Sequence, residues 1–209
     1  IPAIACRRLS ITEKGDFALI AWAQRAKIEA RYIETTRTNL CELEKRLPEI
    51  RALTLKEPSS FCEELSDLLT NCGIAPVFLP HLSGSFLHGA TFYDNGKIVM
   101  GLTLRGKDAD RFWFSLFHEI GHIMLGHLTK STGADNADEE AADCFAKDVL
   151  IPPDEYNSFL KKSIFTREAI IDFAASIGIA PGIIVGRLQK EGDIDYNRLN
   201  DLKVKYELT

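Results

Sequence analysis

Residues 112–127 read FWFSLFHEIGHIMLGH and hold His118, Glu119 and His122 in the order H-E-x-x-H. Two histidines four apart lie on one face of a helix, so both imidazoles can reach a single metal ion with Glu119 beside them. A catalytic zinc site takes three protein ligands, nitrogen or carboxylate oxygen, and keeps a fourth position for water. A carboxylate next to that position is a general base, so the spacing predicts metal-assisted hydrolysis with Glu119 as the base. A chance H-E-x-x-H in a chain of this length has a probability on the order of one in a hundred. The flanks also weigh against chance. Phe112, Phe114, Leu116, Phe117, Ile120, Ile123, Met124 and Leu125 cover most of the helix surface, and a helix apolar nearly all round is a buried one. Buried histidines and a buried glutamate are costly unless they are paired or bound to metal.

The third ligand must come from another element. Asp138-Glu139-Glu140 opens a second periodic run, Ala141 to Leu150, which stops at Pro152-Pro153. With Ala142 at the centre of the buried face, Phe145, Ala146 and Val149 fall within about 60° of it at about 100° per residue. Glu139 falls at the edge of that face, with Asp143 beside it one turn on and Glu140 toward solvent. This register predicts Glu139 as the third metal ligand, and Asp143 as the acceptor that fixes the tautomer of a ligand histidine. Asp138 faces inward but occupies the position of a helix cap. His127 is one residue off the four-residue step from His122 and reads as a solvent-facing residue at the helix end. His88 and Tyr93 could each polarise a carbonyl across a cleft. A lone His or Tyr in a strand is more often a packed or surface residue, and both rank low.

The segments FSLFHEIGHIMLGH, EEAADCFAKDVLIP and IGIAPGIIVGRLQKEG follow one another as they do in the ImmA/IrrE family of metallo-endopeptidases. The chain resembles in particular the metallopeptidase-like domain that is joined to an XRE-type DNA-binding domain in HigA-like regulators, from about Leu53 to Tyr206. The resemblance implies His118 and His122 as zinc ligands, Glu119 as the base and a ligand glutamate in the EEAAD helix. It also implies a protein partner of the repressor type. Two positions depart from the family pattern: Ala141 stands where a second glutamate is frequent, and Asp143 where asparagine is frequent.

The elements that position these groups begin with an amphipathic helix from Asp16 to about Thr35. Leu40, Leu43 and Leu47 mark a second helix, and Pro48 suits the first turn of a third, Glu49 to Leu55. Ser59 and Ser60 are caps for a helix over Phe61 to Asn71, stopped at Gly73. Three β-like runs follow, Ile74 to Leu79, His88 to Tyr93 and Lys97 to Leu104, with Asp94-Asn95-Gly96 as a hairpin turn. They predict a small antiparallel sheet. An open edge of that sheet offers main-chain hydrogen bonds to an extended peptide, and the other reading is an edge covered by a loop. Residues 1–10 read as a leader strand or loop, and residues 128–137 as a loop. Thr166, Gly178 and Pro181 outline two helices with a turn between them, the outline of a helix-turn-helix. The apolar Ile183, Ile184, Val185 and Leu188 argue for a packed pair instead. Asp195 to Tyr206 reads as a last, charged helix.

The chain has 209 residues, 45% hydrophobic and 26% charged, with a net charge of −5. That balance argues against DNA binding by this chain alone, because phosphate contacts need a surplus of Lys and Arg on one face. No run approaches the roughly 18 apolar residues of a membrane span and no signal peptide opens the chain, so a cytoplasmic location is expected. Five cysteines with no C-x-x-C pair read as reduced core thiols. The expected fold is α+β, a mainly helical zincin-like (gluzincin) metallopeptidase domain with a small antiparallel sheet. Its expected parts are an N-terminal helical segment (1–72), a metal-site core (73–160) and a C-terminal helical subdomain (161–209). The expected function is zinc-dependent hydrolysis of peptide bonds in a protein or peptide substrate, such as a repressor or a toxin–antitoxin partner. The alternative is a non-catalytic sensory or antitoxin domain of an XRE-family transcriptional regulator that carries a metal site.

Overall fold

The computed structural model describes residues 5–6, 13–80, 89–103, 107–130 and 134–206. The strands are β1 (Ala5–Cys6), β2 (Ile74–Phe78), β3 (Gly89–Asp94), β4 (Lys97–Leu102), β5 (Lys107–Asp108) and β6 (Lys205–Tyr206). The helices are α1 (Glu13–Ala30), α2 (Leu40–Ala52), α3 (Pro58–Thr70), α4 (Ala109–Met124), α5 (Asn136–Leu150), α6 (Pro153–Lys162), α7 (Arg167–Ile177) and α8 (Pro181–Glu191). The fold is α+β, as expected. Among the described residues, no single helix is long and apolar enough to cross a membrane.

One sheet has the strand order β1-β3-β4-β2. β3 and β4 form the expected hairpin, closed by Asn95 and Gly96 at φ 49° and 81°, both in the region a type I′ turn requires. β2 runs parallel to β4, so the sheet is mixed rather than antiparallel. Ile98 to Leu102 is buried on both faces, which suits the centre of a sheet. β4 thus has an antiparallel partner, β3, on one side and a parallel one, β2, on the other. Alternate residues serve two cores. Ile74, Ile98, Met100 and Leu102 face the main core with α2 to α8, a cluster that runs from Leu43 to Tyr206. Ala75, Val77, Phe92 and Val99 face Trp22, Ala23 and Ala26 of α1. β1 pairs with β3 as Ala5↔Thr91 and Cys6↔Ala90, so the chain itself covers β3 at those two residues, and β1 and β2 are the outer strands of the sheet.

Several boundaries differ from expectation. α1 stops at Ala30, where Tyr32 and Ile33 close a turn on the carbonyls of Glu29 and Ala30, and Thr36 and Asn39 then bond the carbonyls of Thr70 and Cys72. Pro48 sits inside α2 rather than starting a new helix. Pro48 and Glu44 are both exposed, so the carbonyl that the proline leaves unbonded faces water, while Leu43 and Ile50 continue one buried stripe. α3 begins at Pro58 in the first turn, with Glu57 before it, so Ser59 and Ser60 lie within the helix and cap nothing. Pro153 opens α6 where the proline pair was read only as a stop. Thr166, Gly178 and Pro181 bound α7 and α8 as expected. The expected helix from Asp195 to Tyr206 is instead a 3-10 turn, Asn200–Leu202, and β6. Leu199 at φ 59° breaks the helix, and Tyr206 is drawn into an aromatic cluster with Phe61 and Phe112. Of the cysteines, Cys72 is buried, but Cys41 and Cys144 are exposed and are not core thiols.

Candidate metal centre

α4 is the central helix of the main core. Every residue from Ser115 to Ile123 is buried, so the apolar surround that the sequence displays does enclose His118, Glu119 and His122. Its first turns are fixed by Trp113, whose Nε1 donates to the Tyr206 hydroxyl at 2.8 Å, and by the packing of Phe112 against Phe61. α5 crosses α4 at Gly121. A Cβ there would meet the Ala142 backbone at 3.2 Å, so the missing side chain lets α5 approach closely enough for Glu139, one turn before Ala142, to reach the histidines. The α5 N-terminus is held by a reciprocal capping box: Asp135 accepts from the Asp138 N–H, and Asp138 accepts from the Asp135 N–H.

Three donor groups converge. His118 Nε2 lies 3.1 Å from His122 Nε2, and the two Glu139 oxygens lie 3.3 Å from these nitrogens, one each. Both imidazoles are buried, and the Glu139 side chain is 30% exposed. Zinc at about 2.0–2.1 Å from each of two tetrahedral ligands sets them about 3.3–3.4 Å apart. The observed triangle therefore has the size one such ion needs, and its two nitrogens and one carboxylate are a donor set that catalytic zinc sites use.

The hydrogen bonds behind the triangle assign the tautomers. His118 Nδ1 is 2.8 Å from Asp143 Oδ1; a carboxylate accepts, so this nitrogen carries the proton and the Nε2 lone pair points into the triangle. His122 Nδ1 is 3.0 Å from His127 Nδ1, and His127 Nε2 is 3.3 Å from Asp138 Oδ1. His127 Nε2–H donates to the Asp138 carboxylate, so His127 Nδ1 accepts from His122 Nδ1–H and leaves the His122 Nε2 lone pair inward. Two nitrogen lone pairs thus face each other at 3.1 Å, an arrangement that repels unless a cation shares the space. Burial works against charge on His118, but hydrogen bonds to Asp143 and Glu139 outweigh it and raise its pKa to about 9. Burial would raise Glu139, yet its bonds to both histidines hold it down to about 2. A proton and a metal ion compete for the same site.

Glu119 lies on the side of α4 that faces the sheet and is 1% exposed. Its Oε2 accepts a 2.6 Å hydrogen bond from the hydroxyl of Thr91 on β3. Burial pushes its pKa up, partly offset by His118 and by the Thr91 hydrogen bond. A carboxyl group whose proton affinity is raised by burial, beside the donor triangle, suits a group that takes and returns a proton.

Glu139 joins His118 and His122 in a group able to hold a metal ion; Asp143 bonds His118, and Glu140 is exposed. Tyr93 is 45% exposed on β3, and His88 lies outside the described residues. His127 corrects the reading: it is 7% exposed and supports His122. Gly126, at φ 75°, turns the chain back so that His127 folds onto the end of α4. The His-x4-His spacing with a glycine before the last histidine was the signal that helix periodicity discards. Asp138 is no N-cap; Asp135 is, and Asp138 is the anion that orients His127 and meets Lys130 Nζ at 2.5 Å. Thr91 was missed because a single threonine in a strand carries no signal for its partner. No protein-family model matches the chain, and no curated protein matches it.

Proposed function

We propose that the chain is a zinc-dependent metallopeptidase domain of the zincin-like (gluzincin) type, acting on peptide bonds of a regulatory protein partner. The observation that carries this is the convergence of His118 Nε2, His122 Nε2 and the Glu139 carboxylate, next to the buried Glu119. Zinc held there would supply Lewis acidity to the scissile carbonyl and to water. Glu119 takes the water proton on its carboxylate and returns it to the departing amine, while Thr91 keeps that carboxylate aimed. Asp143 and the His127–Asp138 pair hold the two imidazoles in the tautomer that binds metal.

The alternative, a non-catalytic sensory or antitoxin domain of an XRE-family regulator, draws support from one feature: β1 covers the outer edge of β3 at Ala90 and Thr91, beside Glu119, where an extended substrate would pair. Burial of Ile183, Ile184, Val185 and Leu188 in the core supports α8 as one of a packed helical pair rather than a helix that reads DNA. The test is mass-spectrometric detection of new peptide termini after incubation of the zinc-loaded chain with the protein encoded beside it. Cleavage by wild type and none by Glu119→Gln supports the peptidase. Zinc binding without cleavage by either supports the regulator.

A further inference from the structure

A cavity of about 460 Å³ opens between α4, α5 and α8, lined also by Tyr196 and Lys203. This is the size of a small-molecule site. Its walls are apolar where Phe114, Leu150, Ile151 and Ile183 meet. Its polar lining is strongly one-sided: five cations, Arg111, Lys147, Arg187, Lys190 and Lys203, stand against two carboxylates, in a chain whose net charge is −5. Lys203 is paired with Asp110 at 2.9 Å and Arg187 with Glu191 at 3.1 Å, so the two acids of the lining are already matched. Lys190 is matched from behind the wall by Asp143 at 3.8 Å, and Arg111 and Lys147 keep the lining positive beyond these pairs; clustered like charges beside apolar walls favour an anion.

One wall of the cavity is shared with the metal centre. Lys190 Nζ lies 4.5 Å above the Phe114 ring and 3.8 Å from Asp143 Oδ2. The other Asp143 oxygen is the one that bonds His118. Lys190 therefore draws on the carboxylate that orients a metal ligand.

We propose that this cavity binds a small organic anion, a carboxylate or phosphate on an apolar body, held by Lys147 and Lys190 and linked to the metal centre through Asp143. An anion on Lys190 offsets the positive charge that Asp143 faces, which strengthens Asp143 as an acceptor for His118 and tightens metal binding. Linkage requires the converse, that metal tightens the anion by the same factor. The linkage rests on the metal centre proposed above; the binding of the anion does not.

The probe is 8-anilinonaphthalene-1-sulfonate, an aromatic body with one anionic group, titrated by fluorescence into the intact metal-free chain. Saturable binding at one site is expected, weakened by about 10- to 100-fold in Lys147→Glu/Lys190→Glu, since charge-assisted contacts are lost and reversed. The uncharged N-phenyl-1-naphthylamine should bind no better to wild type than to the variant. Thermal melts check that the variant folds, and Lys147→Met alone serves if it does not, with a smaller loss in the same direction. Equal dye affinity in wild type and a folded variant, or no saturable binding to wild type, overturns the site. With zinc present the dye should bind several-fold more tightly to wild type and unchanged to Asp143→Asn. Dye binding that ignores bound zinc removes the linkage and leaves the anion site. Failure of zinc itself to bind contradicts the metal centre and leaves the anion site standing.

Discussion

His127→Phe isolates what the buried relay behind His122 contributes. Phenylalanine fills the space of the imidazole but offers His122 no acceptor. In the native chain the order His122, His127, Asp138, Lys130 runs through contacts of 3.0, 3.3 and 2.5 Å, and it ends on a carboxylate that is itself anchored in the α5 capping box. Loss of such an outer partner costs about 10- to 100-fold in metal affinity, or about 1.4–2.7 kcal/mol. Asp138→Ala should weaken zinc less, because His127 stays in place and only its polarisation is lost. In the double variant the Asp138 change should add nothing to the zinc loss, since Asp138 acts on the metal only through His127, although it still costs stability by removing the capping box. The assay is competition for zinc against a chromophoric chelator at fixed pH, run beside thermal melts of the metal-free proteins. Wild-type zinc affinity in a folded His127→Phe variant would refute the relay, and additive losses in the double variant would show that Asp138 reaches the metal by another route.

Glu139→Ala should abolish most zinc binding while Glu140→Ala, on the exposed side of α5, changes little; the reverse result in a chelator competition would place the ligand one residue away. Thr91→Val preserves shape but removes the donor to Glu119. Zinc should be retained and hydrolysis of the identified substrate should slow by roughly 10- to 150-fold, the worth of a hydrogen bond to a charged group; unchanged kcat would show that Thr91 does not position the base. Tyr206→Phe leaves the buried Trp113 indole N–H without its acceptor and should destabilise by about 1–3 kcal/mol, read as a Tm lower by about 2–4 °C per kcal/mol. An unshifted melt would mean that β6 does not fasten α4.

The metal centre was legible in the sequence to the extent that one helix or one helix register defines it. His118 and His122 follow from a four-residue step, and Glu139 and Asp143 from the position of Ala142 on the next helix. What escaped depends on groups that meet across elements. His127 lies on a 3-10 turn beyond Gly126, where helical periodicity no longer applies. Thr91 meets Glu119 from a strand 28 positions away. β2, β3 and β4 were found because β-branched and apolar runs announce them, whereas the two-residue strands β5 and β6 carry no such run; the strand order was not found either, because hydrophobic pattern says that β4 is buried on both faces and says nothing about which neighbour runs parallel. The tail failed for a related reason. Residues 195–206 have a helical spacing of apolar positions, yet Tyr206 is worth more packed on Phe61 and bonded to Trp113 than in one more surface helix.

The central claim is a single metal ion held by two imidazole nitrogens and one carboxylate, and X-ray absorption at the zinc edge on the purified chain tests it most directly. The account predicts about one zinc per chain, with nitrogen and oxygen neighbours at about 2.0–2.1 Å, the multiple-scattering pattern of two imidazoles and no sulfur in the first shell. Sulfur neighbours at about 2.3 Å, or no bound zinc in a folded chain, would contradict it.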